Sequence, residues 1–346
     1  MIMIDVLDSK VGCFSDIHIG LYQDSPEWHD ISLEFAKKAS EFYKKNEIKT
    51  IVIAGDVFHN RSEISVRTIH SAKKFFDYFK DFQIIISVGN HDCFYKEKAE
   101  INSISILDGW DNIKIVDELP LVLKTKQNTS VSFIPWGVEC KNIPKTDICF
   151  GHFEINTFYM NSYRACERGE DSKNLLDKSP FVISGHFHKK DHRVYEKGQI
   201  LYLGSPYQHN FGDVDDERGY YIIDLDKSSF KFFENDFSPK FIKLKTEDLN
   251  KKTIEKEIKN NFVSLNLDSS LKQEDTNNFL MKVMKYGPLN IKTEYTEKQD
   301  IKQNEEKTYD CIDVLENINE YVKTLDIECK EEVINYLTEI YNTLNK

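Results

Sequence analysis

A chain of 346 residues, 40% hydrophobic and 30% charged, has the composition of a folded protein with a full-sized core and one or two smaller modules. Its formal charge of −12 argues against a broad electrostatic grip on nucleic acid, although residues 301–346, with eleven Asp/Glu against five Lys, carry half of that excess. No apolar run reaches the roughly 20 residues of a membrane helix, the first five residues carry no secretion signal, and seven cysteines without CxxC spacing read as reduced thiols, so a cytoplasmic protein without membrane association is expected.

Short runs rich in Ile, Val and Phe at 11–15, 50–54, 84–88, 147–150 and 181–184 predict strands buried on both faces. Helical patterns at 31–45 and 64–79 lie between the first three. Beyond the fifth, 200–203, 220–225 and 230–233 predict strands in meander spacing, with Gly204-Ser205-Pro206 as a turn. The motif-rich part ends near Ser238-Pro239. Residues 262–267, 277–285 and 289–295 then suggest a small β-α-β module, followed by a polar linker. At the end, Ile312, Leu315, Ile318, Val322 and Leu325, and then Val333, Leu337, Ile340 and Leu344, repeat at helical spacing. These two helices either pack on the body or form a detachable hairpin that binds a partner. The organisation is α/β (α+β), with domains at 1–238, 239–298 and 299–346.

The chemistry lies where the five buried strands stop. Six of ten histidines fall in five blocks: Asp16-Ile17-His18, Gly55-Asp56-Val57-Phe58-His59, Gly89-Asn90-His91-Asp92, Gly151-His152 and Gly185-His186-Phe187-His188. Ligands in alternating α/β sheets gather beyond the carboxyl ends of strands, so the blocks should converge on one edge. Asp16 and His18, two residues apart, point the same way, as do His186 and His188. Asp56 can bridge two cations through its two oxygens, and Asn90 supplies a neutral carbonyl oxygen. Oxygen and imidazole donors without thiolate point to manganese first, with magnesium, iron or zinc as alternatives. Two such ions roughly 3.5–4 Å apart suit hydrolysis of a phosphate ester. His29, His70, His192 and His209 read as surface or loop residues, with His209 closest to the expected cleft.

The order D-x-H, G-D, G-N-H-D, G-H and G-H-x-H resembles the calcineurin-like metallophosphoesterase superfamily. Within it, the chain resembles the SbcD type of double-strand-break repair nuclease, especially the recombination endonuclease subunits of T-even-like phages. Supporting stretches are Phe14-Ser15-Asp16-Ile17-His18-Ile19-Gly20, Ile134-Pro135-Trp136, Gly151-His152-Phe153-Glu154-Ile155-Asn156 and Gly204-Ser205-Pro206. The resemblance implies a β-sandwich flanked by helices, a capping domain near 262–295 that guides DNA, and C-terminal helices that grip an SbcC-type coiled-coil ATPase. It also implies that Asp16, His18, Asp56 and His188 hold one metal and that Asp56, Asn90, His152 and His186 hold the other. His91 would protonate the leaving 3′ oxygen, His59 would position DNA for exonuclease action, and Asp92 would orient His91 by accepting its hydrogen bond. For His59 and His91 the plainer alternative is ring packing beside the site. A homodimer through helices at 64–79 and 99–107 is implied as well. So are exonuclease or endonuclease roles in DNA recombination, repair and replication, in a host cytoplasm if the chain is phage-encoded. The first ten residues precede the usual start of the family and have no assigned role. Two other readings compete: a phosphatase or small-molecule phosphodiesterase of the same superfamily, the phosphatases typically carrying an Asp-Arg pair after G-D and using G-N-H-E, and a non-catalytic scaffold for the ATPase.

Overall fold

The computed structural model describes residues 6–96, 98–160 and 164–296, together with residues 330, 333–335 and 338. The chain divides after Thr296 into two units, the first of which carries every motif block. The helical pair expected beyond residue 309, and the linker before it, lie outside the described residues except at 330, 333–335 and 338, which are helical.

Two sheets face each other. The seven-stranded sheet runs in the order Val6–Leu7, Leu121–Thr125, Ser130–Phe133, Ile148–His152, Phe181–Gly185, Gly198–Tyr202 and Asp191–Tyr195. The six-stranded sheet runs Ser229–Glu234, Gly219–Asp224, Lys10–Phe14, Thr50–Ile53, Gln83–Ser87 and Ile113–Val116. The five motif strands are parallel neighbours, three in one sheet and two in the other. Their apolar runs are continuous because both faces are covered. Val11, Cys13, Val52 and Ile85 meet Phe133, Phe150, Ile183 and Leu201 between the sheets. On the opposite face Phe14, Ile51, Ile53, Ile84 and Ile86 pack under two helices.

Those helices are Pro26–Lys45 and Val66–Asp77. The first begins five residues ahead of its expected start, with Pro26 in the first turn, where a missing N–H costs nothing. Trp28, Ile31, Phe35, Ala39 and Tyr43 recur every three or four residues along its buried face. The second is opened by Ser65, whose hydroxyl accepts the Thr68 N–H at 3.0 Å.

Several expectations are corrected. Residues 99–107 form no α-helix. The strand Lys98–Asn102 pairs with Cys93–Tyr95, and Asn102 then caps a short 3-10 turn over Ser103–Leu107. On the helix at 64–79, Phe75, Phe76 and Phe79 belong to the core, which leaves Val66 (84% exposed) and Ile69 (45%) as its outward apolar surface. The expected meander is broken as well, since Gly198–Tyr202 and Gly219–Asp224 lie in different sheets. Gly204, at φ +71°, turns the chain out of the first sheet, and residues 205–218 cross the motif end before entering the second. Residues before the first motif strand have a structural place. Val6–Leu7 pairs parallel with Leu121–Thr125 and buries Leu7 between the sheets, and the chain then crosses to the opposite sheet.

The small module contains three parallel strands, Phe241–Lys245, Phe262–Asp268 and Asn290–Thr296, with helix Gln273–Lys285 between the last two. It has its own core of Leu244, Leu249, Ile258, Val263, Leu265 and Val283. Trp28 joins it to the sandwich by stacking on Phe262 (5.4 Å, 12°) and Phe241 (6.1 Å, 22°). No helix among the described residues is long and apolar enough to cross a membrane.

Candidate metal centre

The five blocks meet at one end of the sandwich, where the strand ends of both sheets face each other. Turning the chain sharply there places Asp16, His18, Asp56 and His186 at φ +55°, +51°, +53° and +94°. This left-handed region costs an ordinary residue about 1–2 kcal/mol, and such strain collects at functional sites. Hydrogen bonds between the motif loops hold it in place. Asp16 N–H donates to the Gly55 carbonyl and His18 N–H to the Asp56 carbonyl, both at 3.1 Å, and His186 N–H donates to Asp16 Oδ1 at 3.1 Å. Gly89 is required for space, because a Cβ there would run into the backbone N and carboxylate of Asp56.

The seven residues expected as ligands are brought together. Asp16, His18 and Asp56 offer donor atoms within 4.8 Å of one another, and so do Asp56, His152 and His186. Asp56 belongs to both groups and lies between them. Beside the first, His188 Nε2 is 3.1 Å from His18 Nε2. Beside the second, Asn90 Oδ1 is 2.9 Å from both His152 Nε2 and His186 Nδ1, and His152 Nε2 is 3.3 Å from Asp56 Oδ2. The Trp136 ring walls this second group, 5.1 Å from His186 and 5.9 Å from His152.

Charge and burial fit divalent cations. Asp16 and Asp56 are both fully buried or nearly so. Burial and the neighbouring Asp56 push Asp16 up to about 7, while His152 and His18 outweigh burial at Asp56 and hold it well below the carboxylate range. Burial and nearby positive groups push His186 and His188 down to about 3, so both present neutral imidazole. Against its burial, Asp56 and Asp16 pull His152 up to about 9, so the two carboxylates draw a proton onto a candidate ligand and call for positive charge at the centre. Cations placed among those donors would supply it.

At the rim, His91 is half-buried. Its backbone N–H donates to Asp56 Oδ1 at 2.8 Å, and its Nδ1 donates to the His59 carbonyl at 2.8 Å. The His59 ring stacks on it at 5.6 Å and 15°. The expected role of Asp92 is not what the geometry shows. Its carboxylate accepts the Phe58 N–H at 2.9 Å and the Gly89 N–H at 3.0 Å, fixing the second and third motif loops to each other, and His91 is oriented by a carbonyl instead.

Two histidines expected at the surface are buried. His29 lies inside the first helix and pairs with Asp24 at 2.9 Å. His209 sits in the site itself, with Nδ1 3.2 Å from His188 Nδ1 and its ring 5.3 Å from that of His18. The one sequence signal for His209 was its place just after the Gly-Ser-Pro turn. His70 and His192 are exposed.

The calcineurin-like phosphoesterase family matches residues 9–190, just over half of the chain. Phosphoesterases of this type use a dinuclear metal centre. "Exonuclease subunit 1" of Enterobacteria phage T4 is 29% identical over 237 residues, covering 65% of this chain and 68% of the phage protein. An uncharacterized protein of Acanthamoeba polyphaga mimivirus is 22% identical over 366 residues, covering 95% of this chain but 26% of its own length. Among solved structures, a dimetal phosphatase from Danio rerio is 10% identical, with 62% of this chain and 92% of that one covered at a TM-score of 0.41, a likeness too distant to carry an argument.

Proposed function

The chain belongs to the calcineurin-like phosphoesterase family, and on that footing we propose that it hydrolyses phosphodiester bonds in DNA, as the nuclease subunit of an assembly with an SbcC-type coiled-coil ATPase. Asp16, His18, Asp56 and His188 would hold one cation and Asp56, Asn90, His152 and His186 the other, with manganese suited to the mixed donor set. When bound, such a pair lowers the pKa of a water and neutralises charge on the attacking and leaving oxygens.

The chain's own contribution is positioning and proton transfer. The observation that carries the reading is the His59–His91 pair. After Gly55-Asp56 the sequence continues Val57-Phe58-His59, where phosphatases of the family place Asp-Arg, and the His59 ring stacks on His91 at the rim of the site. A carbonyl can only accept, so the His59 carbonyl fixes a proton on His91 Nδ1 and leaves Nε2 as the nitrogen that takes up a second proton from solvent and, as imidazolium, passes it to the leaving 3′ oxygen. His59 shapes the entrance for the nucleic-acid strand.

The net charge of −12 gives this chain little electrostatic hold on duplex DNA by itself. A partner that supplies basic surface answers that need. The small parallel module at 241–296 would serve as the capping domain, and the exposed Val66 and Ile69 would lie in a homodimer contact. The test is end-labelled duplex DNA incubated with the purified chain and manganese, with and without an SbcC-type ATPase. Nucleolytic products that increase with the ATPase are expected. Strong preference for p-nitrophenyl phosphate over its bis ester, with no product from DNA, would instead make the chain a phosphatase.

A further inference from the structure

Four imidazoles crowd the first candidate metal group. His59 Nδ1 lies 3.4 Å from His18 Nδ1, His18 Nε2 lies 3.1 Å from His188 Nε2, and His188 Nδ1 lies 3.2 Å from His209 Nδ1. The two nitrogens of an imidazole point out of the ring in widely divergent directions. A His188 ring that turns Nε2 toward His18 therefore turns Nδ1 toward His209. If His18 and His188 share a cation through their Nε2 atoms, each ring must carry its proton on Nδ1. For His188 that proton falls on the nitrogen facing His209.

The surroundings of His209 are built to hold an acceptor there. Its backbone N–H donates to Asp213 Oδ2 at 2.7 Å, and the Tyr22 hydroxyl donates to its carbonyl at 2.8 Å. Asp213 is itself held in a buried ion pair with Arg218 at 2.8 Å. The Tyr207 and Trp28 rings lie 5.4 Å and 6.3 Å away. The ring is buried, and its Nε2 has no partner among the described residues. A buried ring nitrogen without a partner is uncommon, and it sits here on a side chain whose other nitrogen faces a candidate metal ligand.

We propose that His209 is a positioning residue for the metal centre: its Nδ1 accepts the Nδ1 proton of His188 and fixes that ring with Nε2 bare and turned toward His18. His18, His188 and His209 offer donor atoms within 4.8 Å of one another, and the nitrogen that His209 Nδ1 meets is the one His188 turns away from His18. The proposal rests on the two-metal reading above and adds to it a residue outside the ligand set.

The test is titration of the metal-free full-length chain with cobalt(II), followed by calorimetry and visible absorption, in wild type, His209→Leu, His209→Asn and His209→Gln. Asn places an oxygen near the position of imidazole Nδ1, whereas Gln places one near Nε2. Wild type should take up two ions. The Leu and Gln variants should lose roughly 10- to 100-fold in affinity for one ion, the usual effect of removing a ligand's hydrogen-bond partner, and change that ion's absorption band. The Asn variant should bind as wild type does. Melting of each metal-free variant checks the fold, and if Leu does not fold, the Asn and Gln pair still decides. Wild-type affinity in Gln, or equal losses in Asn and Gln, would overturn the role of His209. Fewer than two ions on wild type would overturn the metal reading itself, and this proposal with it.

Discussion

Replacing His91 by Ser removes the proton donor and keeps a hydrogen bond to the centre, because that bond runs through the backbone; what goes is the ring, which packs 4.7 Å from that of His18. The His91 N–H that donates to Asp56 Oδ1 at 2.8 Å belongs to the main chain and survives the substitution, while the imidazole held by the His59 carbonyl is lost. A positioned general acid contributes about 100- to 10,000-fold, which corresponds to about 3–5.5 kcal/mol of barrier at about 1.36 kcal/mol per decade. That whole loss should appear on DNA, whose leaving alkoxide is strongly basic and needs the proton. Bis-p-nitrophenyl phosphate releases a stable phenolate, so its hydrolysis should fall by less than about tenfold. The assay compares kcat/KM of wild type and His91→Ser on both substrates, with manganese affinity measured by calorimetry. Equal losses on the two substrates would refute the reasoning, since His91 would then act on the centre itself rather than on the leaving group.

Three further expectations follow from packing and electrostatics. Trp28→Ala removes a ring that is 6% exposed and stacked on Phe262 at 5.4 Å, and should lower unfolding free energy by about 3–5 kcal/mol; a denaturant-midpoint change equivalent to less than about 1 kcal/mol would deny Trp28 its role as the joint to the small module. Gly89→Ala drives a Cβ into the backbone and carboxylate of Asp56, so calorimetry should show divalent-ion binding largely lost, and unchanged affinity would contradict the assignment of Asp56 to both groups. Asp147 is held below the ordinary carboxylate range by the Ser130 hydroxyl and N–H, at 2.6 Å and 2.7 Å. A depressed folded-state pKa stabilises above the unfolded value and is lost as pH falls through the folded one. Melting curves of Asp147→Ala should therefore lie below wild type at neutral pH and converge with it in acid, and a constant gap would be the wrong outcome.

The candidate ligands were legible because each sits at the end of a short apolar run. That pattern fixes where a strand stops without any knowledge of its neighbours. The helix Val66–Asp77 was legible from its periodicity, and Ser65 sharpened its start. What the sequence left open depends on contacts between distant segments. Whether Asp92 serves His91 or the backbone of Phe58 and Gly89 depends on how two motif loops approach each other. Residues 198–202 and 219–224 look alike locally and enter different sheets, because Gly204 redirects the chain between them. That same crossing segment carries His209 into the site, which local pattern could not show. At 99–107, strand pairing of Lys98–Asn102 with Cys93–Tyr95 takes up the first residues, and Asn102 then opens only a short 3-10 turn.

The claim beneath the rest is that Asp56 is shared between two cations. Crystals grown with manganese and measured near its absorption edge test this directly. Two anomalous peaks are expected, roughly 3.5–4 Å apart, one beside Asp16, His18 and His188 and the other beside Asn90, His152 and His186, with Asp56 between them. A single peak, or a pair that leaves Asp56 out, would contradict the account.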